Sequence, residues 1–225
     1  MLSMGMRIEI PQAQEYIESL AAVEAASKQK SRRFAEELGL GKICLSPSEG
    51  HLLSFLVRMQ RCRKFVEIGT LTGLSAQYIL EGLGEQGELW SLEKTELHAQ
   101  KALAALAEHP AAKNVHIIVG DARVTLETLK AQGPFDGVFI DGNKAAYGDY
   151  LAWAEANVSP GGLIIADNVF LNGAVWGDKE GQSQKFSEKQ VKVMQTFNHR
   201  LSDPVLYDSV LLPTKEGMHF AVKKF

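Results

Sequence analysis

Residues 64–75 read K-F-V-E-I-G-T-L-T-G-L-S, and the rest of the chain can be placed outward from them. Phe65, Val66 and Ile68 make the short apolar run that a strand buried on both faces needs. Gly69 and Gly73 break that run, and Leu74, Tyr78, Ile79 and Leu83 follow at helical spacing. Strand, glycine turn and helix in this order open a doubly wound α/β sheet of the nucleotide-binding kind. Backbone can approach a ligand closely where side chains are missing, and a helix start offers free N–H groups.

The spacing narrows the ligand. A dinucleotide fingerprint reads G-x-G-x-x-G, whereas this turn reads E-x-G-x-x-x-G-x-S with Glu67 just before the first glycine. No Gly-Lys-Ser/Thr follows, so it is not a phosphate-binding P-loop either. A carboxylate at the turn suits a ligand carrying positive charge better than a pyrophosphate, and S-adenosylmethionine carries an ammonium and a sulfonium. A tight turn that holds no ligand is the competing reading of these residues alone.

At 225 residues, 45% hydrophobic and 23% charged, the chain fits one domain with a sizeable core. A formal charge of −3 gives no electrostatic footprint for nucleic acid. No apolar run reaches membrane-spanning length. The first residues lack a leader's apolar core, and with only two cysteines, Cys44 and Cys62, a cytoplasmic location is expected. Both cysteines read as small buried hydrophobes. Met4 and Met6 leave the start position open. The six histidines show no metal-ligand spacing, so a zinc site is not expected.

An Ala- and Glu-rich segment, about 12–38, predicts one or two helices. Its Arg32 and Arg33 read either as a solvated basic face or as part of a layer over the active site or in a dimer contact. Ser46-Pro47-Ser48-Glu49 is a well-formed helix start, with Ser46 as N-cap and Glu49 closing a capping box, and Leu52, Leu53, Phe55, Leu56 and Met59 face inward. Strands are then expected at 88–92, 115–119, 135–140 and 163–166, alternating with helices at 96–108, 125–132 and 147–157. That alternation demands a mainly parallel sheet with helices on both faces. A Gly-, Asp- and Gln-rich insertion at 172–185 carries one aromatic, Trp176. Ser187 and Gln190 open a last helix, and 205–212 with 218–222 form a C-terminal antiparallel hairpin. With no repeat or linker, residues 1–225 make a single domain.

Ligands of an open α/β sheet sit outside the carboxyl ends of its strands. Those ends hold Glu67–Gly69, then Glu93 about 25 residues on, then Gly120-Asp121-Ala122, then Asp141-Gly142-Asn143-Lys144, then Asp167-Asn168. An acidic side chain at Glu93 suits ribose hydroxyls. Two carboxylates and an amide carbonyl, from Asp141, Asp167 and Asn168, suit a hard cation such as Mg²⁺ or Ca²⁺. Either aspartate could instead cap the turn that follows it. A cation and a sulfonium near Lys144 would lower its pKa toward use as a general base, and an exposed loop lysine is the alternative.

Assembled, these motifs resemble the cation-dependent class I O-methyltransferases, the group of the caffeoyl-CoA and catechol O-methyltransferases. The resemblance runs from about Leu45 onward and rests on V-E-I-G-T-L-T-G-L-S, Glu93, G-D-A, F-D-G-V-F-I-D-G-N-K-A-A-Y and G-G-L-I-I-A-D-N-V. It implies a Rossmann-like fold in which Glu67, Gly69 and Ser75 hold the methionine part of S-adenosylmethionine, Glu93 the ribose, and Asp121 and Ala122 the adenine. The resemblance implies that Asp141 lies beside the cofactor as well. Leu45 stands where the family usually has a threonine, leaving only its backbone. The resemblance also implies a divalent cation, Mg²⁺ before Ca²⁺ or Mn²⁺, on Asp141, Asp167 and Asn168, with Lys144 as base and Trp176 as a wall for the acceptor. Trp176 reads equally as a core anchor. Glu93 replaces the commoner Asp, and Asn143 replaces a second Asp in the Asp-Ala-Asp-Lys motif.

The implied function is methyl transfer to a hydroxyl of a vicinal diphenol, a small phenolic substrate, by a homodimer. A nicotinamide-dependent oxidoreductase on the same sheet is the main rival, disfavoured by the glycine spacing and the unused Asp–Asp–Asn trio. A non-catalytic S-adenosylmethionine-binding protein is the other.

Overall fold

The computed structural model describes residues 11–20, 23–178 and 181–225. The N-terminal stretch read for a leader, with Met4 and Met6, lies outside them. Strand β1 (Lys64–Ile68) is the centre of a seven-stranded sheet. It pairs in parallel with β2 (Glu88–Glu93) on one side and β4 (Phe135–Ile140) on the other. The full order is β3-β2-β1-β4-β5-β7-β6, with β3 (Val115–Val119), β5 (Val158–Ala166), β6 (Tyr207–Leu212) and β7 (Met218–Lys223). β7 lies antiparallel between β5 and β6. The order therefore runs outward from β1 to β3 and restarts at β4, so the switch point falls between β1 and β4. In this class of sheet that is where a ligand sits.

Alternation along the strands builds two cores, because successive side chains point to opposite faces. Val66, Ile68, Val138 and Ile140 pack on one face under α7 (Tyr147–Asn157) and α8 (Glu188–Leu201). Phe65 and Phe139 pack on the other under α3 (Pro47–Met59), α4 (Leu74–Leu83) and α5 (Glu96–Leu106). The capping boxes at Ser46/Glu49 and Ser187/Gln190 are both formed. Among the described residues no helix is long and apolar enough to cross a membrane.

Some boundaries differ from expectation. β5 begins at Val158, running through Ser159-Pro160-Gly161-Gly162, with a register shift opposite Phe135 and Gly137. Such an irregularity accommodates the Pro and Gly residues that read as a turn. Helix α6 (Ala122–Leu129) starts three residues early because the Asp121 carboxylate caps it, accepting from Arg123 N at 3.0 Å. On α3 the buried face is Leu53 and Val57, while Phe55 and Met59 point outward.

The N-terminal segment forms α1 (Pro11–Leu20) and α2 (Ala26–Glu37). Arg33 is exposed, whereas Arg32 turns inward. Its guanidinium pairs with Glu24, donating from Nη2 to Oε1 at 2.7 Å, and donates from Nη1 to the Leu45 carbonyl at 2.9 Å. Tyr78 OH donates to the same Glu24 oxygen at 2.6 Å. From the residue preceding Arg32, Ser31 Oγ donates to the Thr72 carbonyl at 2.7 Å, and Gln77 Nε2 donates to Ser31 Oγ at 2.8 Å. Helix α2 thus grips from behind the two segments that carry Leu45 and Thr72.

Candidate active site

Four backbone bonds continue the ladder one step past the strands. Gly120 N donates to Glu93 O, Gly69 N to Leu92 O, Asp141 N to Ile68 O and Asp167 N to Ile140 O, all between 2.8 and 3.0 Å. The strand-end residues are thereby lined up along one rim. Gly69 has φ +101°, and a Cβ there would meet the Asp141 carbonyl oxygen at 2.1 Å. No side chain fits, so this glycine is required both by conformation and by contact. Gly73 turns the chain into α4 with φ +79°. Leu71, Asn168 and Asn172 also have left-handed φ. Strain of that kind gathers at functional sites, and Asn tolerates it best.

Beside this rim lies a cavity of about 850 Å³, large enough for a nucleoside-sized cofactor and a small acceptor. Its lining includes Leu45, Gly69, Ser75, Glu93, Asp121, Ala122, Asp141, Lys144 and Asn168, so nearly every residue singled out from the sequence comes to one place. Glu67 and Asp167 stand immediately behind it, both buried.

Glu67 is fully buried, and that burial pushes its carboxyl up to about 7; the hydroxyls of Ser75 and Ser91 beside it offset only part of the effect. Ser91 Oγ donates to Oε2. Ser75 completes no well-formed bond to Oε1, which has no partner among the described residues. Thr72 Oγ1, on the cavity lining, is likewise buried and unpartnered. Orphaned oxygens at a cavity wall fit a ligand that brings donors or positive charge.

Glu93 is differently occupied. Its Oε2 accepts from Leu71 N at 2.8 Å and its Oε1 from Thr95 N at 2.8 Å, so it also braces the glycine turn. Asp121 is held low, at about 2, by its bonds with Arg123. The Leu45 carbonyl is engaged by Arg32.

At the other end, Lys144 Nζ donates to Asp141 Oδ1 at 2.8 Å, to Asn168 Oδ1 at 2.5 Å and to Tyr147 OH at 2.9 Å. Burial alone would favour the neutral amine, but the Asp141 carboxylate overrides it and holds the ammonium charged. The direction is opposite to the lowered pKa expected from the sequence, because the Asp141 carboxylate and the Tyr147 hydroxyl outweigh burial. Burial and then the Asp141 charge push the Asp167 carboxyl up to about 8. Asn168 Nδ2 donates to Glu216 Oε2 at 2.9 Å, which aims its carbonyl inward. Two crowded carboxylates and an oriented amide oxygen are a donor set that suits a hard cation. Among the described residues no group of three His, Cys, Asp or Glu side chains is placed to hold a metal ion.

Trp176 does not reach the cavity. It is exposed and stacks edge-on against Phe170 at 5.1 Å between ring centroids, while Asn172 and Lys185 of the same insertion, and Phe186 just after it, line the wall. Cys44 is half-buried on the lining rather than in a core, whereas Cys62 is buried as expected. Glu216 carried no sequence signal: its segment, Pro-Thr-Lys-Glu-Gly, reads only as a turn. It reaches the site because β7 runs antiparallel to β5, with His219 opposite Ala166, which brings the turn to the carboxyl end of β5.

Fold and cavity together define a doubly wound α/β protein with its ligand site at the β1/β4 switch point. The chain belongs to the O-methyltransferase family, whose sequence model matches residues 18–224. It is similar to a catechol O-methyltransferase of Niastella koreensis, 31% identical over 93% of this chain and 95% of that protein. A catechol O-methyltransferase of Mycobacterium tuberculosis is 34% identical over 78% of this chain and 76% of its own length. Among solved structures, the O-methyltransferase TomG of Streptomyces achromogenes, in complex with SAM, superposes with a TM-score of 0.84 at 28% identity, covering 95% of this chain and 96% of its own.

Proposed function

We propose that this chain transfers the methyl group of S-adenosylmethionine to one hydroxyl of a vicinal diphenol, with the help of a divalent cation. The observation that carries the reading is the convergence of Asp141 and Asn168 oxygens on one point beside Lys144, in the same cavity as the Gly69 turn. The SAM and SAH complexes of its structural relatives support the cofactor. The names of its sequence relatives support the acceptor class.

When bound, the cofactor supplies an electrophilic methyl on sulfur, and the cation supplies charge that makes a phenolate accessible near neutral pH although a free phenol has a pKa near ~10. The chain's own residues do the rest. Glu67 offers its unpartnered Oε1 to the cationic methionine portion. Asp141, Asp167 and Asn168 would hold the cation. Lys144 holds its proton at Nζ against Asp141 and in that form steadies negative charge on the acceptor oxygen; it becomes a base only once Asp141 is engaged elsewhere. Most of the acceleration comes from alignment of oxygen, methyl carbon and sulfur on a rim fixed by backbone bonds.

The test is methyl transfer over a panel of diphenols, with and without EDTA. EDTA should abolish turnover and Mg²⁺ restore it. Asp141→Ala should lose at least ~100-fold in kcat while retaining S-adenosylhomocysteine binding by calorimetry. Equal activity in EDTA defeats the cation, and loss of cofactor binding in the variant defeats the role given to Asp141.

A further inference from the structure

The cavity is lined by lysines from separate parts of the chain: Lys42, Lys94, Lys144, Lys185 and Lys215. In a protein of net charge −3 these five lysines face four carboxylates on the same lining, Glu93, Asp121, Asp141 and Glu216. The acidic groups on the same lining are each already engaged. Asp141 holds Lys144, Asp121 holds Arg123, Glu93 accepts from backbone N–H groups, and Glu216 accepts from the Asn168 amide. Lys94 belongs to the Glu93/Asp121 end, where its field helps to hold Asp121 low.

Lys42, Lys185 and Lys215 remain, exposed and without an acidic partner among the described residues. All three adjoin the acceptor end. Lys215 precedes Glu216, which bonds Asn168. Lys185 precedes Phe186 on the same wall as Asn172. Lys42 lies two residues before Cys44, whose thiol feels the Asp141 charge. They come from the connector before α3, the insertion before α8 and the β6–β7 turn, so only the fold brings them together.

Three exposed ammonium groups around an acceptor mouth recognise an anion. Resting on the function proposed above, we infer that the acceptor is a diphenol bearing an anionic substituent, carboxylate or phosphate, on the side of the ring away from its hydroxyls. Lys42, Lys185 and Lys215 are then specificity-determining residues that read this charge.

The test is calorimetric binding to the protein loaded with S-adenosylhomocysteine and Mg²⁺. Probes are 3,4-dihydroxybenzoate and 3,4-dihydroxybenzyl phosphate, against neutral 3,4-dihydroxybenzamide and 3,4-dihydroxybenzyl alcohol. The expected result is on the order of 10-fold tighter binding of the anionic probes, falling as salt rises. The preference should vanish in the combined Lys42→Gln, Lys185→Gln, Lys215→Gln variant, the neutral probes serving as reference. Whichever anionic probe binds more tightly identifies the group. Equal affinity for charged and neutral probes, no measurable binding of either anion, or a preference that survives in the variant overturns the inference. Because binding needs no turnover, a protein that discriminates but transfers no methyl keeps this inference and loses the proposed function; one that methylates both classes equally does the reverse.

Discussion

The amide of Asn168 is clamped between opposite charges: Nδ2 donates to Glu216 Oε2 at 2.9 Å, and Oδ1 accepts from Lys144 Nζ at 2.5 Å. A freely rotating amide would offer N and O to the cavity alternately, and only the oxygen can face a cation. Glu216 therefore acts as a positioning residue. Glu216→Ala should lower kcat/KM by about 10- to 100-fold, the range expected for a hydrogen bond to a charged group. S-adenosylhomocysteine affinity should stay unchanged, and Glu216→Gln, which keeps an acceptor oxygen, should recover part of the loss. Unaltered kinetics in the alanine variant would remove Glu216 from the site.

Arg32 joins Glu24 to the Leu45 carbonyl on the cavity lining. Arg32→Met leaves Glu24 without its cation and frees the segment that carries Leu45. Thermal unfolding should show a loss of about 1–3 kcal/mol. S-adenosylhomocysteine should bind several-fold more weakly, with acceptor KM little changed. Arg32→Lys keeps the charge but not the fork, so it should rescue stability more than binding. Loss of acceptor affinity alone would contradict this placement.

Glu67 pairs function with a stability cost. Its folded pKa is raised from 4.5 to about 7, so its contribution to stability is fully present below pH 4.5 and is lost as pH rises through 7. At pH 8 the ligand-free protein carries a buried charge, and Glu67→Gln should raise its unfolding free energy by about 2–3 kcal/mol. The same variant should bind S-adenosylhomocysteine more weakly. Denaturant unfolding at pH 5 and pH 8 decides it; no gain at pH 8 would mean that the carboxylate is better solvated than its burial implies.

His219 contributes to the loss of stability in acid. It is fully buried on β7, and burial lowers its pKa from 6.5 to about 4. Its stabilising contribution is present above pH 6.5 and is lost as pH falls toward 4, amounting to about 3 kcal/mol. His219→Leu should flatten the stability profile between those values. A profile as steep as that of the natural chain would assign the acid limb to other groups.

Much of the site was legible because chemistry and strand ends coincide. Glu67, Gly69, Asp141, Asp167 and Asn168 each follow an apolar run, and the parallel topology gathers such positions on one rim. Arg32 was ambiguous because helical periodicity does not say which neighbour a face meets. Trp176 was misplaced because loop residues obey no periodicity, and here Phe186 rather than the tryptophan meets the cavity. Glu216 was invisible because its position depends on β7 inserting beside β5, a long-range pairing that leaves no mark on the turn itself.

The contact between Gly69 and the Asp141 carbonyl sets the spacing between the turn and the acidic rim by main chain alone. Side-chain substitution in the walls leaves that gauge untouched. Mutational exploration can thus be divided between a fixed reaction geometry, to which Glu216 belongs through its bond to Asn168, and a variable antechamber formed by Asn172, Lys185, Phe186 and Lys215. A scaffold partitioned in this way can acquire new acceptors through substitutions at those wall positions while its transfer step is conserved.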